Sequence, residues 1–105
     1  MNSQFKKGVI ELVVLRLLTK KRMSTFEVLD LLHGPLDVNE NTVYPVIRRL
    51  YAEGYLDVER KELPVGAPRK YFFATPKGNE YVIQLRQDWR MFVSTINTLL
   101  GEDDE

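Results

Sequence analysis

NENTVYPVIRRL, residues 39–50, decides the fold. Asn39 is a strong helix N-cap, and Glu40 sits in the first turn, where the helix dipole favours an acid. Val38 and Val43 have the spacing of a hydrophobic staple. Val43, Val46, Ile47 and Leu50 recur at helical spacing, and Gly54 closes the stripe and ends the helix. Pro45 is the misfit. Inside a helix it removes one hydrogen bond and clashes with the preceding turn, at a cost of about 3 kcal/mol. At about 100° per residue, however, Pro45 falls opposite the apolar stripe. Asn41, Thr42, Tyr44, Arg48, Arg49 and Ala52 share that face. The carbonyl that Pro45 leaves unbonded, that of Asn41, then faces outward and not into a core. The expectation is an amphipathic helix whose outward face carries two adjacent arginines.

Upstream, Ser24 and Glu27 make a capping box for a second helix. Phe26, Val28, Leu29, Leu31 and Leu32 form its apolar side, and Gly34 followed by Pro35 is expected to stop it. His33 falls near its C-terminus, where a cation is mildly favoured, and reads as a capping or packing residue. Residues 5 to 19 read as the first helix. Its apolar residues, among them Val9 and Val13, fall on nearly every side of the wheel. Such a helix must be covered all round, by its own core on one side and by a second subunit on the other.

Downstream, YLDVERKE (55–62) alternates as a half-buried strand does. LPVGAP, with two prolines and a glycine, is a loop, and RKYFFAT (69–75) is the returning strand. Arg60, Lys61, Arg69 and Lys70 make this hairpin basic on both strands. Thr75 caps a last helix with Pro76 in its first position. Val82, Leu85, Trp89, Phe92, Ile96 and Leu99 repeat at alternating spacings of three and four, an a/d seam. The helix would run to about Leu100, longer than any neighbour the chain offers, so the seam is expected to meet a second copy.

With 105 residues, 44% of them hydrophobic, the chain fits one small folded unit. There is no cysteine and a single histidine, so thiolate and multi-histidine metal sites are excluded. No nucleophile–base–acid set or phosphate loop is present, so an enzyme is not expected and no cofactor is implied. The longest apolar run, Val9 to Leu18, is too short for a membrane span and is broken by Glu11 and Arg16. The N-terminus lacks a signal-peptide core, and the expected location is the cytoplasm. Net charge is zero, with 15 basic and 15 acidic residues. The distribution is uneven. The last four residues, EDDE, are all acidic and read as a frayed tail. Basic pairs stand at 48–49, 60–61 and 69–70. Such pairs often mark no more than a solvated face, and their meaning depends on where the fold puts them.

Three helices, a hairpin and a long helix give a mainly α fold with a small β-hairpin: a winged helix-turn-helix over 1–75, a dimerisation helix over 76–100 and a tail over 101–105. In that architecture the third helix enters the major groove and the wing meets the phosphates. The stretches KKGVIELVVLRLL, STFEVLDLL, NENTVYPVIRRLYAEGYL and GAPRKYFFATPKG, with the tryptophan of QDWRMF, resemble the PadR-like transcriptional regulators from Lys6 to Leu100. The resemblance implies a homodimer in which the first and last helices meet the partner, and usually a repressor. It also implies, from some members, that Trp89 lines a site for flat aromatic or phenolic compounds, with Phe5, Met91 and Phe92 as neighbours. The chain departs from the family at Ser24–Thr25–Phe26, where histidine-glycine-tyrosine is usual, so a tyrosine hydroxyl is missing there. It is also the short form, without a multi-helix C-terminal domain.

The reading is a DNA-binding regulator of a pseudo-palindromic operator. Ser24, Thr25, Asn41, Thr42, Tyr44, Arg48 and Arg49 would contact DNA from the helix-turn-helix, and the four wing cations would contact it from the hairpin. Val9, Val13, Leu85, Trp89, Phe92, Ile96 and Leu99 would line the dimer interface. The alternatives are a winged-helix protein-interaction module and a DNA-binding regulator without a ligand.

Overall fold

Ile10, Val14, Leu15 and Leu18 lie on one buried side of the first helix, and the rest of the molecule is assembled on them. The computed structural model describes residues 3–101, with side chains from Gly8 onward. The Phe5 side chain and the tail at 102–105 therefore lie outside the described residues. The elements are α1 (Ser3–Lys20), α2 (Thr25–Leu36), α3 (Glu40–Ala52), β1 (Leu56–Lys61), β2 (Arg69–Ala74) and α4 (Pro76–Leu100). Val28 and Leu32 of α2, Val43, Val46, Ile47 and Leu50 of α3, Leu56 of β1 and Val82 of α4 close the core around α1. This is a winged helix-turn-helix extended by a long C-terminal helix.

The local chemistry read from the sequence sets most boundaries. Ser24 and Glu27 form the reciprocal capping box, Asn39 Oδ1 accepts from Asn41 N at 2.9 Å, and Thr75 Oγ1 accepts from Gly78 N at 3.1 Å. The bond from Ser24 N also holds the Glu27 carboxyl below its ordinary range. Helix α2 differs from expectation. It does not stop at Gly34–Pro35 but runs through both to Leu36, and Asp37 turns the chain at φ 51°. A proline in the last turn forfeits one backbone bond near an end that already frays, so the helix absorbs it. Gly54 is also not part of the α3 stripe. It lies beyond the helix, exposed, at φ 85°.

β1 and β2 pair antiparallel, from Leu56↔Ala74 to Lys61↔Arg69. An unexpected third segment joins them: Met23, between α1 and α2, exchanges two backbone bonds with Phe72, at 3.1 and 2.8 Å. Beside it the Arg22 guanidinium bonds Glu59 at 2.8 Å and lies 4.0 Å over the Phe73 ring. The wing is therefore fastened to the helix-turn-helix on its β2 side.

Among the described residues, the packing of α4 on the core is concentrated near its start. Val82 is buried and Tyr81 and Leu85 pack against the core. Farther on, Phe92, Leu99 and Leu100 are 52%, 77% and 73% exposed. The molecule is 59 Å long and 28 Å wide as a result.

Candidate nucleic-acid interface

On a helix, residues sort by angle from the buried stripe. In α3 the stripe centres between Val43, Val46, Ile47 and Leu50. Asn41, Pro45 and Arg48 then lie roughly 150–170° away, and Tyr44 and Arg49 only about 110° away, on opposite flanks. The structure follows this finer division. Asn41, Pro45 and Arg48 are exposed, Thr42 is half-buried, and Tyr44 packs its ring on the core and does not point outward. Arg49 turns back toward α1, where one Nη lies 2.7 Å from Glu11 Oε2. That bond raises the guanidinium above its ordinary value.

Arg48 meets the wing. A notch of about 350 Å³ lies elsewhere, between α1 and α4; the one at α3 holds about 290 Å³ and is lined by Arg48 and Tyr51 of α3 with Val58, Arg60, Lys70 and Phe72 of the hairpin. Tyr51 meets Phe72 edge-on, with centroids 6.0 Å apart, and fixes this spacing. Three cations converge there, and no carboxylate is among the lining residues. The strand register adds to the imbalance, because Arg60 faces Lys70 and Lys61 faces Arg69 directly across the ladder. Like charges in directly opposed positions repel. Lys61 lies 5.2 Å over the Tyr71 ring. Among the described residues none of these four wing cations is in an ion pair.

Ser24 and Thr25 open α2 beside the same hairpin. A hollow of about 450 Å³ brings them together with Phe26, Arg69 and Lys70. Ser24 is buried and its Oγ is occupied as the cap, whereas Thr25 is half-buried at the rim. Phe26, at the place of the family's tyrosine, is 68% exposed.

Sequence reasoning missed the joint between α3 and α4. Thr75 donates its hydroxyl to the Gly54 carbonyl at 2.7 Å, and Lys77 Nζ donates to the Glu53 carbonyl at 2.8 Å. Tyr81 stacks on Tyr55 at 4.2 Å and 16°. Its hydroxyl donates to Glu11 Oε1 at 2.9 Å. Burial first, then this hydrogen bond, pushes the Tyr81 phenol up to about 12. Gly78 packs so closely on Tyr55 that a Cβ there would overlap the Tyr55 carbonyl oxygen. A glycine in the first turn of a helix costs about 1 kcal/mol against alanine and was the available signal.

The groove between α1 and α4 is lined by Gly8, Val9 and Leu12 on one side and by Leu85, Asp88, Trp89 and Phe92 on the other. Trp89 is half-buried, 6.3 Å from Phe92 by ring centroids. Val13 and Ile96 are half-buried too. Among the described residues no cluster of acids and histidine could hold a metal, and no helix is long and apolar enough to cross a membrane.

Comparison with known proteins agrees with this architecture. Residues 14–84 match the model of the transcriptional regulator PadR-like family. A PadR-like transcriptional regulator of Bacillus cereus superposes with a TM-score of 0.80 at 33% identity, covering 94% of this chain and 98% of that one. A PadR-like transcription factor of Bacteroides fragilis gives 0.78 at 33% identity, covering 92% and 95%. A PadR family regulator of Eggerthella lenta, at 24% identity, shares the fold, with a TM-score of 0.85 over 93% and 87%.

Proposed function

The chain belongs to the PadR-like family, so it is a DNA-binding transcriptional regulator and not an enzyme, and from that premise we propose that it acts as a homodimeric repressor in the cytoplasm. The observation that carries the DNA-reading surface is the notch of Arg48, Arg60 and Lys70. Phosphate oxygens would neutralise those cations. Asn41 and Thr42, nearer the start of α3, are the candidates for base edges, because a recognition helix reads with its N-terminal residues. Thr25, Lys61 and Arg69 add backbone contacts.

The uncovered seam of α4 supports the dimer. Phe92 and Leu99 stand in the spacing of a two-helix packing and are exposed in the single chain. Two copies related by a two-fold axis would read a pseudo-palindromic operator. The groove beside Trp89 supports a small aromatic or phenolic effector, since it is apolar, open and close to the seam.

The test is binding to duplexes selected from a random pool, followed across a potassium chloride series, with mass measured by light scattering. The expected result is a dimer whose affinity falls steeply with salt, with log K dropping about 0.9 per log unit of salt for each phosphate contact. A monomer, or affinity flat with salt, would overturn the reading. Selection of no duplex at all would favour a protein-interaction module. Trp89 is the only tryptophan, so its fluorescence reports directly on the groove. Quenching by phenolic acids or flat aromatic dyes is expected, and no change with any of them would remove the effector.

A further inference from the structure

We infer that the adjacent arginines of α3 have different tasks: Arg48 touches DNA, whereas Arg49, with Glu11 and Tyr81, is a positioning residue that sets the pose of α3 on α1 and α4. This rests on the DNA-binding reading above and assigns roles within it.

The geometry begins with Glu11. Its side chain is only 16% exposed, yet it is ionisable and lies on α1, beside the core. Its two oxygens are used by two different elements. Oε2 takes the Arg49 guanidinium at 2.7 Å, from α3, and Oε1 takes the Tyr81 hydroxyl at 2.9 Å, from α4. One carboxylate therefore ties three helices at one point. The Tyr81 ring is itself held by its stack on Tyr55, in the turn after α3.

Arg49 is poorly placed to serve phosphate. Its side chain is 46% exposed, so water can reach it, but a phosphate would have to draw it from Glu11. That would strand a largely desolvated carboxylate, which is costly. While the pair holds, it is close to neutral and releases few counterions when DNA arrives. Arg48, one residue on, has no ion pair among the described residues and lines the notch with Arg60 and Lys70. The 100° step of the helix separates the two roles.

A recognition helix must be held at a fixed inclination for its side chains to meet base edges together. The Glu11 tie does this for α3 against α4, the helix proposed to carry the dimer seam. Losing it should weaken binding without removing a phosphate contact.

The experiment uses the full chain and a duplex selected by the wild type from a random pool. Affinity is measured across a potassium chloride series for Arg48→Gln, Arg49→Gln, Glu11→Gln and Tyr81→Phe, at a temperature where thermal melts show all of them folded. Arg48→Gln is expected to lower the salt slope by about 0.9 per subunit contact. Arg49→Gln and Tyr81→Phe are expected to weaken binding severalfold with the slope unchanged. The Arg49→Gln/Glu11→Gln double variant should bind no worse than the weaker single, whereas the effects of Arg48→Gln and Glu11→Gln should multiply. Should Arg49→Gln fail to fold, Tyr81→Phe decides, because it removes one hydroxyl and keeps the ring stack. A slope lowered by Arg49→Gln as much as by Arg48→Gln would overturn the inference. So would full wild-type affinity in Tyr81→Phe. If the wild type selects no duplex, the DNA-binding reading itself falls and takes the inference with it.

Discussion

The joint between α3 and α4 and the wing formed by β1 and β2 both adjoin the C-terminal half of the same 13-residue helix, and they treat polar groups in opposite ways. At the joint, Thr75, Lys77 and Tyr81 each find a partner on α1 or on the turn after α3, and Gly78 lets the backbones touch. Among the described residues no buried side-chain nitrogen or oxygen lacks a hydrogen bond. At the wing, cation faces cation across two rungs of the ladder. One region is finished by folding alone. The other leaves like charges facing each other across the ladder. The contrast separates what holds this molecule together from what it presents to a partner.

The joint can be broken most severely at Gly78. Gly78→Ala would force a Cβ into the Tyr55 carbonyl, with the carbonyl carbon 3.1 Å away. Over-packing of this kind costs about 3 kcal/mol, and the melting temperature should fall by roughly 12 °C or more. A thermal melt followed by circular dichroism measures it; an unshifted melt would mean the joint is slack.

A milder test uses pH. The Tyr81 phenol stands at about 12 when folded against 10.0 for the free group. A value raised by folding stabilises fully below pH 10, and that stabilisation is lost as pH rises toward 12. Wild type and Tyr81→Phe should therefore converge in stability between pH 10 and 12. Parallel denaturation curves across that range would show that the hydroxyl does not matter.

The smallest effect on stability, with the opposite sign, is expected at the wing. Lys70→Glu places an acid opposite Arg60 and turns a repulsive rung into an attractive one. The melt should rise slightly while duplex affinity falls, because the notch loses a cation and gains an acid. Weaker folding together with weaker binding would mean that the wing cations are structural after all.

The features legible in the sequence are those set by neighbours a few residues away. Ser24 with Glu27, the Asn39 cap, Thr75 with Pro76, and the alternating hairpin were readable because caps and periodicity are local. The core stripe of α3 was readable for the same reason. What escaped depends on distant partners. The coarse wheel put Arg48, Arg49 and Tyr44 on one face, whereas Tyr44 packs on the core and Glu11, 38 residues back, draws Arg49 away from Arg48. Met23 joins the sheet because Phe72 happens to lie beside it, and its own stretch carries no strand pattern. Pro35 and Gly34 are accepted within α2 because they fall in its last turn, where one lost backbone bond costs little.

The length of α4 gives the joint a mechanical meaning. The helix has 25 residues and is clamped only near its start. Beyond Leu85 it projects about 22 Å at 1.5 Å per residue, and a 5° tilt at the clamp carries its far end about 2 Å sideways. In the proposed dimer two such levers meet, so a small angular error at each root is magnified into the distance between two recognition helices. DNA allows little tolerance there, since its grooves recur at a fixed pitch. The crowding around Gly78 is therefore a tolerance specification: it sets, from inside one subunit, how far apart two of them can read.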